Sequence, residues 1–216
     1  MIAFFDLDRT LLAKNSGTLW VKKELREGRL SPFNGVRVGW WLVRYSLGFA
    51  DLEYGIRIAV RSLAGTTESE LTQRVREFYQ QEVHGIYRPG AHKALAEHRA
   101  RGERCVLLTS ASCYLAQEVT QALALDGWIA NRFEVDARGH FTGEPLGAVC
   151  YGIGKRTLAL AYCQKQGVSL ADCAFYTDSM ADLSVLEVVG RPVAVHPDPR
   201  LLRISKQRGW PVASWD

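Results

Sequence analysis

Two carboxylates one residue apart, Asp6 and Asp8, end the apolar run Ile2-Ala3-Phe4-Phe5 near the start of this 216-residue chain. Such a run reads as a buried strand of a parallel sheet, and in open α/β sheets ligands bind beyond the carboxyl ends of the strands. Side chains alternate along an extended backbone, so Asp6 and Asp8 can share a direction while Leu7 points away. Two carboxylates aimed into one cleft repel each other unless a cation lies between or near them. Mg2+ meets that demand, because it takes oxygen ligands and usually keeps one or two protein carboxylates plus water and phosphate. The competing use of an aspartate after a strand is turn formation or capping of the next helix, and the pair alone does not separate the two.

Further segments repeat this pattern of an apolar strand ended by polar groups. Cys105-Val-Leu-Leu108 runs into Thr109-Ser110-Ala111-Ser112, and Cys173-Ala-Phe-Tyr176 runs into Thr177-Asp178-Ser179-Met180-Ala181-Asp182. Between them, Gly152-Ile-Gly154-Lys155-Arg156 opens an amphipathic helical stretch and places a cation near its N-terminus. That end of a helix disfavours cations but attracts anions through its free N–H groups, so a lysine there suits a phosphate. Ser110 ends its apolar run and is the preferred phosphate donor, with Thr109 as the fallback; Thr109 and Ser112 are also suited to cap the following helix.

Taken together, these residues make the chain resemble the haloacid dehalogenase superfamily, and its phosphoserine-phosphatase-like branch, subfamily IB, in particular. Four motifs match in order: Asp6-Leu7-Asp8-Arg9-Thr10, the strand ending in Ser110, Lys155, and Asp178-Ser179-Met180-Ala181-Asp182. Gly139-His-Phe-Thr142-Gly143-Glu144 also looks like a hairpin of that branch. The resemblance implies an α/β fold: a Rossmann-like three-layer core with a parallel sheet, over residues 1–14 and 86–216, and an inserted α-helical cap of the C1 type over residues 15–85. It implies that Asp6 attacks phosphorus and carries an aspartyl phosphate, and that Asp8 is the general acid and base. Asp6, the backbone carbonyl of Asp8 and Asp178 would hold Mg2+, with Asp182 one helical turn further on acting directly or through water. Ser110 and Lys155 would stabilise the transferring phosphoryl group, and Thr10, Ala111 and Ser179 would help bind substrate. The implied activity is hydrolysis of a small phosphorylated metabolite; transfer of the same phosphoryl group to an alcohol is the rival.

The elements must bring these residues together across a long interval. After the first strand, residues 2–6, the next convincing buried strand waits until 104–109. Between them the pattern reads as helix: Gly17 to Glu27, Phe33 to Leu47, Asp51 to Leu63 and Glu68 to Glu82. Hinges are expected near Ala13 to Gly17 and Val83 to Pro89, and Arg88-Pro89-Gly90 marks the return to the core. Helices are expected over 91–101 and Tyr114 to Leu125, a hairpin over Phe133 to Phe141, a last strand at Pro192 to Val195 and a short terminal helix.

The cap should choose the substrate. Phosphoserine phosphatases place an acidic residue shortly after the first motif to meet the substrate's ammonium group, and the residue here is Asn15, which places a free amino acid substrate in doubt. Arg57 and Arg61, four apart on one helix, either meet a second anionic group of the substrate or form a solvated face. The segment from Gly35 to Phe49 carries Trp40, Trp41, Tyr45 and Phe49, interrupted by Arg37 and Arg44. It is too short and too charged to span a bilayer. A cap core helix is favoured over an interfacial helix for a lipid phosphate or an aromatic pocket wall.

Composition fits a globular enzyme: 47% hydrophobic, 23% charged, with a mild formal net charge of +4. No basic run supports nucleic-acid binding. Cys105, Cys113, Cys150, Cys163 and Cys173 are odd in number and scattered without zinc spacing, so they read as apolar fillers. With a strand beginning at residue 2, no signal peptide is expected, and the location expected is the cytoplasm.

Overall fold

Burial of the first apolar run decides the architecture. The computed structural model describes residues 1–29 and 52–216. β1 (Ile2–Phe5) is buried along its whole length. The insertion follows with α1 (Ser16–Arg26), α2 (Leu52–Arg61) and α3 (Glu68–Phe78), the last prolonged by a wide turn to Val83. The chain then runs through α4 (Pro89–Ala100), β2 (Arg104–Ser112), α5 (Cys113–Ala122), β3 (Gly127–Asn131), β4 (Phe133–Val135) and β5 (Phe141–Pro145). It closes with α6 (Gly152–Lys165), β6 (Ala174–Thr177), α7 (Leu183–Leu186), β7 (Arg191–Val195), α8 (Pro199–Arg208) and β8 (Val212–Ala213).

Six strands form one sheet in the order β3-β2-β1-β6-β7-β8, every neighbouring pair parallel. Alternation along β1 divides its side chains between two buried clusters. Ala3 and Phe5 join Leu95, Leu107, Leu115 and Val119 on one face, while Ile2 and Phe4 join Val106, Leu108, Ala159, Cys163 and Leu201 on the other. Helices therefore cover both faces, giving the expected three layers. The strand order reverses between β1 and β6, so the crevice outside their carboxyl ends is the topological switch point. Asp6 and Asp178 directly follow those two strands.

The two linkers of the insertion run side by side. Leu12 pairs antiparallel with Tyr87, the Ala13 N–H donates to the Ile86 carbonyl (2.9 Å), and the Arg88 N–H donates to the Leu11 carbonyl (2.9 Å). Leu71, Val75, Phe78 and Val83 of the insertion belong to the same buried cluster as Leu115, Ala116 and Val119 of the core. Among the described residues, the insertion thus continues the core's apolar interior. The β4–β5 hairpin is tied to it as well, through Gly65 N–H to the Phe141 carbonyl and Phe141 N–H to the Thr66 carbonyl, both 3.0 Å.

The expected helix over Phe33 to Leu47, with Arg37, Trp40, Trp41, Arg44, Tyr45 and Phe49, lies outside the described residues. Among the described residues no helix is long and apolar enough to cross a membrane. All five cysteines are free thiols, four of them buried. β8 was not expected: a strand of two residues has no periodicity to read, and only its pairing to β7 creates it.

Candidate active site

Asp6 leaves β1 still hydrogen-bonded to the sheet, its N–H donating to the Tyr176 carbonyl (2.9 Å). Asp6 and Asp8 keep extended backbone angles (φ −72°, ψ 159° and φ −70°, ψ 127°). Arg9 then turns into the left-handed region (φ 58°) and ends the extended course. The resulting turn is closed by the Leu12 N–H on the Leu7 carbonyl at 2.9 Å. Asp8 Oδ1 accepts the N–H of Ser16 at 2.6 Å, so this carboxylate also anchors the first turn of α1.

Lys155 is the buried cation at the centre, 1% exposed. Its Nζ donates to Asp6 Oδ1 and to Asp182 Oδ2, both at 2.8 Å, and lies 5.4 Å from the centre of the Phe175 ring. Asp182 Oδ2 also accepts the Thr177 hydroxyl at 2.6 Å. Gly154, the residue before the lysine, allows the approach: a Cβ there would lie 2.1 Å from the Val149 carbonyl oxygen.

Acidic charge exceeds basic charge in this crevice, and the carboxyl groups respond. Burial raises Asp6 to about 7, with Lys155 pulling it down and Asp182 pushing it up. Asp178 rises to about 8 through burial first and then the charges of Asp6 and Asp182. Burial also raises Asp8, opposed by the Ser16 N–H. Lys155 is raised despite burial, because Asp182 and Asp6 hold its proton. Among the described residues no hydrogen-bond donor reaches the Asp178 carboxylate. The buried Thr10 hydroxyl likewise has no partner among the described residues.

Such a set fits a hard divalent cation. Among the described residues no three His, Cys, Asp or Glu side chains converge as a metal site. Asp6 and Asp178, near enough for their charges to act on each other, match the one or two carboxylates that Mg2+ usually takes beside water and phosphate.

Several expected site residues are engaged otherwise. Asp182 does not continue one helix with Asp178: a short 3₁₀ turn (Met180–Asp182) intervenes, and the side chain turns to Lys155 and Thr177. The Ser110 hydroxyl donates to the Cys150 carbonyl at 2.7 Å and keeps its half-buried place at the end of β2. The buried Thr109 Oγ1 accepts the Ala111 N–H at 3.1 Å. Ser179 caps the 3₁₀ turn through the Ala181 N–H. Asn15 is the N-cap of α1, accepting the Thr18 N–H at 2.8 Å and the Thr18 hydroxyl at 3.0 Å. Arg57 pairs with Glu53 on its own exposed helix face (2.8 Å), and Arg61 lies 4.0 Å from Glu144. Neither arginine is drawn into the carboxylate cluster.

Two supporting residues escaped the sequence reading. Asn131, 2% exposed, donates to the Ser110 carbonyl (2.6 Å) and accepts the Cys150 N–H (2.8 Å). Its signal was available, a polar residue ending the apolar Ile129-Ala130. Asp198 braces the Asp178 loop, accepting the Met180 N–H at 2.6 Å while its own N–H donates to the Asp178 carbonyl at 2.8 Å.

A doubly wound α/β sheet with an aspartate–lysine–aspartate centre at its switch point defines the class. The chain belongs to the haloacid dehalogenase-like hydrolase family, which matches residues 3–187. A histidinol-phosphatase of Neisseria meningitidis is 26% identical over 99% of this chain and 98% of its own. A crystal structure of a protein with unknown function from Bordetella pertussis superposes with a TM-score of 0.89, at 29% identity over 100% of this chain and 98% of that one. A phospho-aspartyl intermediate analogue of phosphoserine phosphatase shares the fold, with a TM-score of 0.71 at 20% identity over 100% of this chain and 93% of that one.

Proposed function

We propose that this protein is a Mg2+-dependent phosphoric monoester hydrolase that forms an aspartyl phosphate on Asp6 and acts on a small organic phosphate. The observation that carries the reading is the pairing of Asp6 Oδ1 with the buried Lys155, itself shared with Asp182. It fixes one oxygen of the carboxylate and leaves the other to attack. Bound at Asp6, Asp178 and the Asp8 carbonyl, Mg2+ would neutralise charge between a carboxylate nucleophile and an anionic ester.

In the first half-reaction an Asp6 oxygen bonds to phosphorus as the ester P–O bond breaks, and Asp8 gives its proton to the departing alkoxide. In the second, Asp8 takes a proton from water, whose oxygen bonds to phosphorus and releases the Asp6 carboxylate and inorganic phosphate. Asp8 is aimed for both steps by the Ser16 N–H on its Oδ1. Lys155 offsets the charge that collects around Asp6. Ser110, at the end of β2, would donate a hydrogen bond to a phosphoryl oxygen, with Thr109 beside it as the fallback.

A turnover panel of phosphorylated amino acids, amino alcohols, sugars, nucleotides and lysophospholipids tests the reading, with histidinol phosphate and phosphoserine included because of the relatives' names. Phosphate release should need Mg2+ and vanish in Asp6→Asn. Undiminished turnover in that variant would sink the nucleophile assignment. A fall in inorganic phosphate on adding acceptor alcohols would indicate phosphoryl transfer instead.

A further inference from the structure

The exit linker of the insertion carries a side chain that reaches back to the catalytic turn. Arg88 Nε donates to the carbonyl oxygen of Arg9 at 3.2 Å, and Nη1 pairs with Asp216 at 2.5 Å, with the side chain only 12% exposed. The Arg9 carbonyl belongs to the residue directly after Asp8. Arg9 holds a left-handed conformation that residues other than glycine rarely adopt, so something must hold the turn in that shape.

The outer end of the guanidinium is itself held. Asp216 lies 3.5 Å from His196 Nε2, which accepts the Trp215 N–H at 2.7 Å. Trp215 is packed against Tyr176 (ring centres 5.4 Å apart) and Phe5 (6.4 Å). Gly90 lets it sit there, since a Cβ on Gly90 would meet the Trp215 Cα at 2.6 Å. Arginine is suited to this post because it points separate donors at two acceptors from one rigid plane, which lysine does not.

We propose that Arg88 is a positioning residue for Asp8: by holding the Arg9 carbonyl it fixes the turn from which the general acid meets the leaving group. The role rests on the phosphatase reading above. It predicts a specific kinetic signature. An alkoxide needs a proton to depart, whereas p-nitrophenolate does not, so a misaimed acid slows only the first.

The test compares kcat/KM, which covers the steps through alcohol release, for the best alkyl phosphate of the panel and for p-nitrophenyl phosphate. Arg88→Lys and Arg88→Met should lower the alkyl value about tenfold or more while p-nitrophenyl phosphate stays within about twofold. Asp216→Asn frees only the outer end of the guanidinium and should show a smaller loss of the same selective kind, which keeps the proposal testable if Arg88→Met does not fold. Equal losses on both esters, or none on either, would overturn the proposal. A wild-type protein inactive on every ester would instead overturn the phosphatase reading, and this role with it.

Discussion

Replacing Asn131 should show how much of the site's rigidity rests on one amide. Its Nδ2 donates to the Ser110 carbonyl and its Oδ1 accepts the Cys150 N–H, at 2.6 and 2.8 Å, in a side chain sealed from water. Asn131→Ala leaves the N–H of a fully buried residue without its acceptor and strips a carbonyl of a donor. Each buried group left unpaired costs about 1–3 kcal/mol, so the pair comes to about 2–6 kcal/mol. In a chain of this length each kcal/mol lowers Tm by about 2–4 °C, so the melt should fall by roughly 4–24 °C. Asn131→Asp keeps the acceptor but sets an oxygen against the Ser110 carbonyl, and should be no milder. Urea titration with linear extrapolation gives the stability change. The clip joins the strand end bearing Thr109 to the segment leading into Lys155, so kcat/KM on the best panel substrate should fall as well. An alanine variant within about 0.5 kcal/mol of wild type, the range of an ordinary surface change, would refute the reasoning. So would an aspartate variant more stable than the alanine one.

Two other perturbations follow from buried charge. Lys155→Met leaves Asp6 and Asp182 without their shared cation, which should destabilise the fold by about 3–5 kcal/mol and cut turnover by about 100- to 1,000-fold. Adding Asp182→Asn should restore part of the stability in a denaturant titration and none of the turnover; no recovery of stability would contradict the ion-pair account. His98 is buried with Nδ1 2.5 Å from Glu103 and Nε2 2.9 Å from the Tyr176 hydroxyl, and burial pulls its pKa below 6.5, against the pull of Glu103. The unfolded chain therefore takes up this proton first as pH falls, so the stability from neutral His98 is present above 6.5 and lost as pH drops through that value. Tm measured from about pH 7.5 to about 5.5 should decline in wild type and decline less in His98→Gln; equal slopes would count against the assignment.

The frame of the candidate site was legible because burial and chemistry change sharply at the same residues. Apolar runs stop at Phe5, Leu108 and Tyr176, and polar groups begin at once, which places Asp6 and Asp178 at one crevice on sequence grounds alone. The choice between Thr109 and Ser110 was not legible, because they are neighbours on one strand and a single step of register exchanges the sides they face. Asn15 carries an N-cap signature as plainly as a ligand signature, and only the hydrogen bonds to Thr18 decide. Arg57 and Arg61 sit at helical spacing that says they share a face, without saying that the face meets Glu53 and Glu144. Arg88 and Asp216 are 128 positions apart, and no local pattern joins them.

The central position of β1 has a consequence for the order of synthesis. Its neighbours are β2 and β6, so Ala3 pairs with Cys105 on one side and with Ala174 on the other. A ribosome moving at about 5–20 residues per second takes about 3–14 s to travel from Cys105 to Ala174. Throughout that time the most apolar strand of the sheet is an unpaired edge. Asp6 is among the earliest residues made, yet the crevice it enters is incomplete until Asp178 follows β6. A newly made chain therefore carries an apolar strand open to aggregation until β6 arrives to cover its second edge.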